Sequence, residues 1–306
     1  MNEFTIRDIE NLCGIKAHTL RMWEQRYRLH IPKRKAGNHR LYDSEDLKQL
    51  LRIALLYHNG HKISRLARLD EEEIGRLAMK IPQTGNGNDI FINHLIEASL
   101  DFDTDLFDRI LHNIILHMGF EKAIARVVYP FLQKIGLLWL TGNVVPAQEH
   151  FASALIMKKL QVAINGLESP PRSGALHPSA DRSATPPGEK TILLFTPKGE
   201  HHEIPLLYMR YLMKKNGLST VYFGKDICLE DLHYYCRHQR VTHLYFHLVT
   251  NLLRCEPNQY IEKMTGTFPD KTIVVSGAAG TSLHGSHPRV RVLKSLEEMQ
   301  EFAKEK

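Results

Sequence analysis

The stretch G-E-H-H-E-I-P at 199–205 sets His201 and His202 between Glu200 and Glu203, directly after the apolar run T-I-L-L-F-T of 191–196. Imidazole and carboxylate both ligate metals, and a carboxylate beside a histidine fixes the orientation and tautomer of its ring. One reading is zinc held by His201, His202 and the glutamates. Adjacent residues rarely converge on one ion, however, and no third ligand stands at a useful spacing. The other reading is a single imidazole ligand, His202, oriented by Glu200. A second group lies upstream in W-L-T-G-N-V-V-P-A-Q-E-H, where nine residues separate Trp139 from the pair Glu149 and His150. A tryptophan can cover a flat apolar surface while the Glu-His pair reaches polar groups. The plain alternative is a core tryptophan and an exposed pair on a helix. The third group is charge: residues 1–42 hold nine Lys/Arg against four acids, nearly all of the net +6 of the chain. A basic end on an otherwise balanced chain points to nucleic acid.

These groups need elements to place them. The chain has 306 residues, 43% of them hydrophobic and 24% charged, enough for two or three domains with cores. No apolar run approaches the ~20 residues that span a bilayer, and the N-terminus M-N-E-F-T-I-R-D lacks a basic-then-apolar leader pattern. Four cysteines form no C-x-x-C pair. The expected compartment is the cytoplasm, with no membrane partner. Two stretches rich in Gly, Asn, Pro or Ser, 82–89 and 168–189, divide the sequence, the second reading as a flexible linker. The expected domains are 1–81, 90–167 and 190–306.

In the first block, Thr5 and Asp8 start a helix that Gly14 breaks. A second helix begins near Lys16 with Leu20, Trp23 and Tyr27 inward. Pro32 to Tyr42 reads as a basic hairpin-like wing, Asp43 or Ser44 caps the next helix, and a shorter one follows from Ile63. Helix, glycine turn, helix and wing make a winged helix-turn-helix. Its second helix turns His18, Thr19, Arg21, Met22, Gln25 and Arg26 outward, where Arg and Gln suit base edges in the major groove. Lys33, Arg34, Lys35, His39 and Arg40 suit phosphates. The middle block reads as a four-helix bundle whose third helix must bend or restart at Pro130 and whose fourth opens at Pro146. The last block alternates strands at 191–196, 219–223, 242–247, 272–275 and 290–293 with helices. That pattern predicts a Rossmann-like, doubly wound parallel sheet with ligands at the carboxyl ends of its strands. The fold class is therefore multidomain: an all-α winged helix-turn-helix, a bundle and an α/β sheet.

The signature T-L-R-x-W-E-x-R-Y, then P-x-R, then G-x-x-R-x-Y resembles the MerR family of transcription regulators over about 70 residues. The resemblance implies double-stranded operator DNA as partner, and Arg21, Trp23, Arg26, Arg40 and Tyr42 in the contact set. The long dimerising helix of metal-sensing MerR proteins is missing, so dimer or tetramer formation must come from the later blocks. W-x9-E-H resembles the cobalamin-dependent repressors of the CarH/LitR type, whose three blocks stand in the same order. That resemblance implies adenosylcobalamin as cofactor, with Trp139, Glu149 and His150 over its upper face. Glu200-x-His202-x-x-Pro205 is similar to the E/D-x-H-x-x-G motif of cobalamin domains, which implies His202 as lower ligand to cobalt. Pro205 replaces the final Gly of that motif, His247 a small Ser, Gly277-Ala278 a Gly-Gly, and Leu140 a His, departures expected to hinder the same fit. The expected function is a DNA-binding repressor, not an enzyme, whose bundle and sheet control oligomerisation. The alternatives are a corrinoid methyl carrier and a ligand-free regulator controlled by a protein partner on its C-terminal module.

Overall fold

A computed structural model describes residues 4–29, 33–34, 40–58, 60–79, 88–140, 145–167, 190–249, 257–277 and 287–305. The chain divides into two compact units, 1–155 and 156–306, with the division inside one long helix.

The first unit begins with strand β1 (Phe4–Thr5) and helix α1 (Ile6–Cys13). A capping box starts α1: Asp8 N–H donates to Thr5 Oγ1 and Thr5 N–H to Asp8 Oδ2. Gly14 ends it in the left-handed region at φ 68°, where a side chain would be strained. Helix α2 (Ala17–Tyr27) follows, and Glu10 of α1 accepts from its first N–H, that of Ala17. Strands β2 (Lys33–Arg34) and β3 (Arg40–Tyr42) pair antiparallel as the expected wing. β1 also pairs with β3, making a three-stranded sheet. Such long-range pairing leaves no local signal in two residues of strand.

Asp43 caps α3 (Ser44–His58), accepting from Glu45 N–H and Asp46 N–H, while Asp46 returns the bond to Asp43 N–H. The short α4 (Ile63–Leu66) is followed by a separate α5 (Glu71–Met79) that sequence reasoning passed over. Asp70 and Glu73 form its capping box. Helices α6 (Asn88–Leu100), α7 (Thr104–Met118), α8 (Phe120–Ala123), α9 (Tyr129–Leu140) and α10 (Pro146–Leu167) supply the four helical spans of the bundle. A π-helical turn at Ile124–Val128 joins α8 to α9. Pro130 has no N–H to continue the α ladder, and the wider turn just before it absorbs the change of register. Phe107 packs edge-on against Phe131 and Phe151, tying α7, α9 and α10 together.

The second unit is the expected α/β sheet. Strands β4 (Thr191–Pro197), β5 (Ser219–Ile227), β6 (His243–His247), β7 (Thr272–Ser276) and β8 (Val290–Leu293) run parallel in the order β5-β4-β6-β7-β8. Helices α11 (Ile204–Lys215), α12 (Leu229–His238), α13 (Pro257–Thr267) and α14 (Leu296–Phe302) alternate with them. β4 is buried along its whole length, as a central parallel strand must be. β5 runs four residues further than its apolar pattern indicates. Register shifts against β4 and left-handed Gly224 and Asp226 bend its end over the β4 loop. Because β5 lies on one side of β4 and β6 on the other, the chain reverses its winding at the end of β4. Ligands of such sheets bind at that reversal.

Candidate DNA interface and cofactor edge

Helix α2 has two faces of different chemistry. Leu20 and Trp23 are buried, and Trp23 packs edge-on against Tyr57 of α3 with ring centroids 4.9 Å apart. On the other face His18, Arg21, Met22, Gln25 and Arg26 are exposed and Thr19 is half-buried. Arg26 leans over the Tyr27 ring at 5.6 Å.

The wing brings a correction. Tyr42 is buried, and burial pushes its hydroxyl up to about 12. Trp23 is 2% exposed. Neither ring can lie against DNA from the core, so both are core residues. Arg40 is held as well: its Nε donates to Glu24 Oε2 at 2.6 Å, and both side chains are largely covered. Glu24 thereby ties α2 to the wing. Its signal in the sequence is a single acid inside a basic helix, which names no partner. Lys33 and Arg34 belong to β2, but their side chains lie outside the described residues, as do Lys35 and His39.

At the end of β4 the structure builds a compact polar group. Glu200 is fully buried. Its Oε1 accepts from His202 Nδ1 at 2.6 Å and from His202 N–H at 3.0 Å, and its Oε2 accepts from Val249 N–H at 2.9 Å. Thr196 Oγ1 donates to the Glu200 carbonyl and accepts from Asp226 N–H. One carboxylate therefore aligns the half-exposed His202 ring and staples the loop after β6 to the loop after β4. Pro205 sits in the first turn of α11, where a missing N–H costs nothing. His201 is exposed, and the described residues contain no group of three His, Cys, Asp or Glu able to hold a metal ion.

His247 is buried at the end of β6. Its Nδ1 and the Tyr245 hydroxyl both hydrogen-bond to Ser276 Oγ, at 2.7 and 2.5 Å. Burial drops the His247 ring to about 4 and keeps it neutral. Gly277 has φ 98°, and a Cβ there would stand 2.1 Å from the Leu248 carbonyl oxygen and 3.0 Å from His247 Nε2. The loops after β6 and β7 thus touch backbone to backbone.

Trp139 falls in the last turn of α9, and its side chain lies outside the described residues, as do Leu140 and Ala278. Glu149 accepts from Ser153 Oγ at 2.6 Å within α10, and the exposed His150 ring is 3.5 Å from Glu149. Val249 and Asp226 are members of the polar group that sequence reasoning missed. One acts through its backbone, the other through a left-handed bend, and neither has a motif.

Residues 4–73 match the family described as MerR HTH family regulatory protein, and residues 92–164 match the B12 binding domain family, which ends before the sheet. The N-terminal block is thus similar to MerR-type transcription regulators, and the bundle after it to a cobalamin-binding module. Among the relatives of the chain is the HTH-type transcriptional repressor CarH of Myxococcus xanthus, 23% identical over 235 residues, 75% of this chain and 73% of that protein. The HTH-type transcriptional repressor CarA of the same organism is 27% identical over 223 residues, 72% and 68% of the two chains. The monomethylamine corrinoid protein of Methanosarcina barkeri shares the fold with a TM-score of 0.52 at 13% identity, over 71% of this chain and 98% of that one.

The B12-binding match supports cobalamin as a cofactor of the module. The chemistry of His202 fits a metal ligand: a half-exposed imidazole, its Nδ1 engaged by a buried carboxylate, is how proteins present histidine to a metal. Beside it, the ends of β6 and β7 are filled by the buried His247 and by Leu248 against Gly277.

Proposed function

We propose that this protein is a cytoplasmic repressor that binds a palindromic operator as a homo-oligomer, its C-terminal module setting the assembly and hence the operator affinity. The supporting observation is helix α2, which presents His18, Arg21, Gln25 and Arg26 to solvent while Trp23 locks its other face into the core. In this reading His18, Thr19, Arg21 and Arg26 face the bases, Lys33 and Arg34 take phosphates, and Trp23, Arg40 and Tyr42 hold these groups in place. The working blocks are 1–81, 90–167 and 190–306, joined through 168–189.

Cobalamin is the proposed signal. His202, aligned by Glu200, would hold the cobalt, with Gly277 near it, and on the bundle Trp139, Glu149 and His150 are the groups proposed to meet the cofactor. A bound corrinoid supplies a metal whose axial coordination can change. A signal shifts the assembly only through different affinities for its two states. The Leu248–Gly277 contact favours a second reading, in which a protein partner docks on the C-terminal module instead.

The test is an absorption spectrum of protein incubated with adenosylcobalamin in the dark and freed of excess by gel filtration, paired with selection of bound sequences from random DNA. Co-eluting corrin bands that His202→Ala abolishes, with a palindromic consensus, are expected. A colourless protein that still selects a palindrome overturns the cofactor and leaves the regulator. Failure to select any sequence overturns the regulator itself.

A further inference from the structure

Helix α6 carries two buried acceptors without a donor. Asn93 Oδ1 and Glu97 Oε1 are shielded from solvent and have no hydrogen-bond partner among the described residues. The residues are 6% and 7% exposed. At i and i+4 they are neighbours on one face of the helix. An unpaired buried acceptor is costly, and two side by side also repel.

The place matters because α6 is where the DNA-binding block is fastened. Glu97 Oε2 accepts from Arg52 Nη2 of α3 at 3.3 Å, a long bond for a full ion pair. Arg52 also lies 3.6 Å from Glu71 of α5. Lys48 of α3 pairs with Asp101 after α6 and with Glu45, so its donors are engaged elsewhere. Leu55, Ala78 and Ile90 form an apolar cluster across α3, α5 and α6. Lys134 of α9 faces Asp89 of α6 at 3.6 Å and donates to the Leu12 carbonyl of α1 at 3.4 Å. Of the other titratable groups on α6, Asp89 faces Lys134, and His94 is kept neutral by burial and by Arg52. No neighbouring cation is recorded on Glu97 Oε1. Asn93 cannot serve its own oxygen. A single proton on Glu97 meets both needs.

We propose that this joint is a proton-binding site: Glu97 is a neutral carboxylic acid that donates Oε1–H to Asn93 Oδ1 while Oε2 accepts from Arg52, and loss of the proton loosens the hold of the DNA-binding block on α6. Burial pushes the Glu97 carboxyl up to about 7, against the pull of Arg52 and Lys48. The docked joint therefore holds the proton more tightly than an exposed glutamate with its ordinary 4.5. The contribution to docking is complete below that value and is lost as pH rises through about 7.

The experiment is amide exchange of α3 and α6 in the full chain at about pH 6 and about pH 8, with Glu97→Gln as reference at each pH to cancel intrinsic exchange. Gln is isosteric, and its amide donates to Asn93 as the acid does. The ratio of opening in wild type to opening in the variant is expected to rise about tenfold over that interval. A flat ratio overturns the proposal. Infrared spectra of the wild type supply a second, independent reading. The carbonyl stretch of a protonated acid is expected at the lower pH and absent from Glu97→Gln, and its absence from wild type overturns the proposal. Should the Gln variant fail to fold, Asn93→Ala removes the acceptor of the acid proton. The infrared titration must then move to lower pH, and no movement overturns the pair.

Discussion

Arg21 and Arg40 are the same residue type in one basic segment, yet they do different work. Arg21 is exposed on α2, whereas Arg40 is held by Glu24 at 2.6 Å. Trp23, two residues from Arg21, points the opposite way into the core beside Tyr57. Function and stability should therefore separate cleanly along this helix. Arg21→Ala is expected to weaken specific operator binding by about 1–3 kcal/mol, since an arginine on a guanine edge is worth that much. Its thermal midpoint should stay near that of wild type. Trp23→Ala is expected to lose about 3–5 kcal/mol of unfolding free energy, the usual cost of deleting a buried aromatic. A gel shift at fixed salt and a denaturant titration of both variants check this. Intact specific binding in Arg21→Ala would mean that α2 does not read the sequence. Gly277 is a second residue whose neighbours set its limits. With φ at 98° and a backbone oxygen 2.1 Å from any added Cβ, Gly277→Ala forces two loops apart. A loss of at least about 1–3 kcal/mol of stability is expected for that strain alone, measured by thermal unfolding. A neutral result would show that the loops after β6 and β7 are not held in contact.

At the scale of elements, what was legible in the sequence is what local chemistry dictates. T-x-x-D, Gly14 and Asp43 announce α1, its end and the start of α3, and each performs that role through bonds spanning two to four residues. Pro130 announces a break but not its form, because a proline constrains only its own turn and the π register depends on how the two halves pack. α5 was missed although D-E-E-E carries an Asp70–Glu73 box, since the preceding turn hides the gap after α4. β1 against β3 and the reach of β5 were illegible because their partners lie far away in the chain. The cofactor edge divides in the same way. Glu200 and His202 are two residues apart and were readable; Val249, 49 residues further on, was not. The caps also make a measurable claim. Asp43→Ala removes two bonds to the first turn of α3 and should cost about 1 kcal/mol. Chemical denaturation should show it in the midpoint with the slope unchanged, and no shift would mean that tertiary packing alone sets the start of α3.

At the scale of the molecule, the uneven charge decides how binding should respond to salt. Residues 1–42 carry nine basic side chains against four acids. Of the basic ones, Lys16 is paired with Glu10 and Arg40 with Glu24, which removes two from the set able to meet phosphate directly. The remaining seven are Arg7 on α1, Arg21 and Arg26 on the face of α2 argued to read bases, Arg28 just after it, and Lys33, Arg34 and Lys35 in the stretch read as the wing. Each phosphate neutralised releases counterions and adds about 0.9 to the slope of log affinity against log salt. Lys33→Ala and Arg34→Ala should each lower that slope by about 0.9 for every protomer on the operator, and weaken binding equally on specific and unrelated DNA. Arg21→Ala should instead reduce the preference for the operator. A dimer on a palindrome then loses about twice the increment of a monomer, so the same titration also counts protomers. Fluorescence anisotropy across a salt series measures both quantities at once. If the wing variants erode sequence preference while leaving the slope untouched, the wing reads bases and the division of labour is the reverse of the one argued here. If neither variant changes anything, DNA is held by a surface other than the basic N-terminal end. The excess charge would then serve another partner, although the buried Trp23 and the exposed arginines of α2 are disposed as a DNA-reading helix requires.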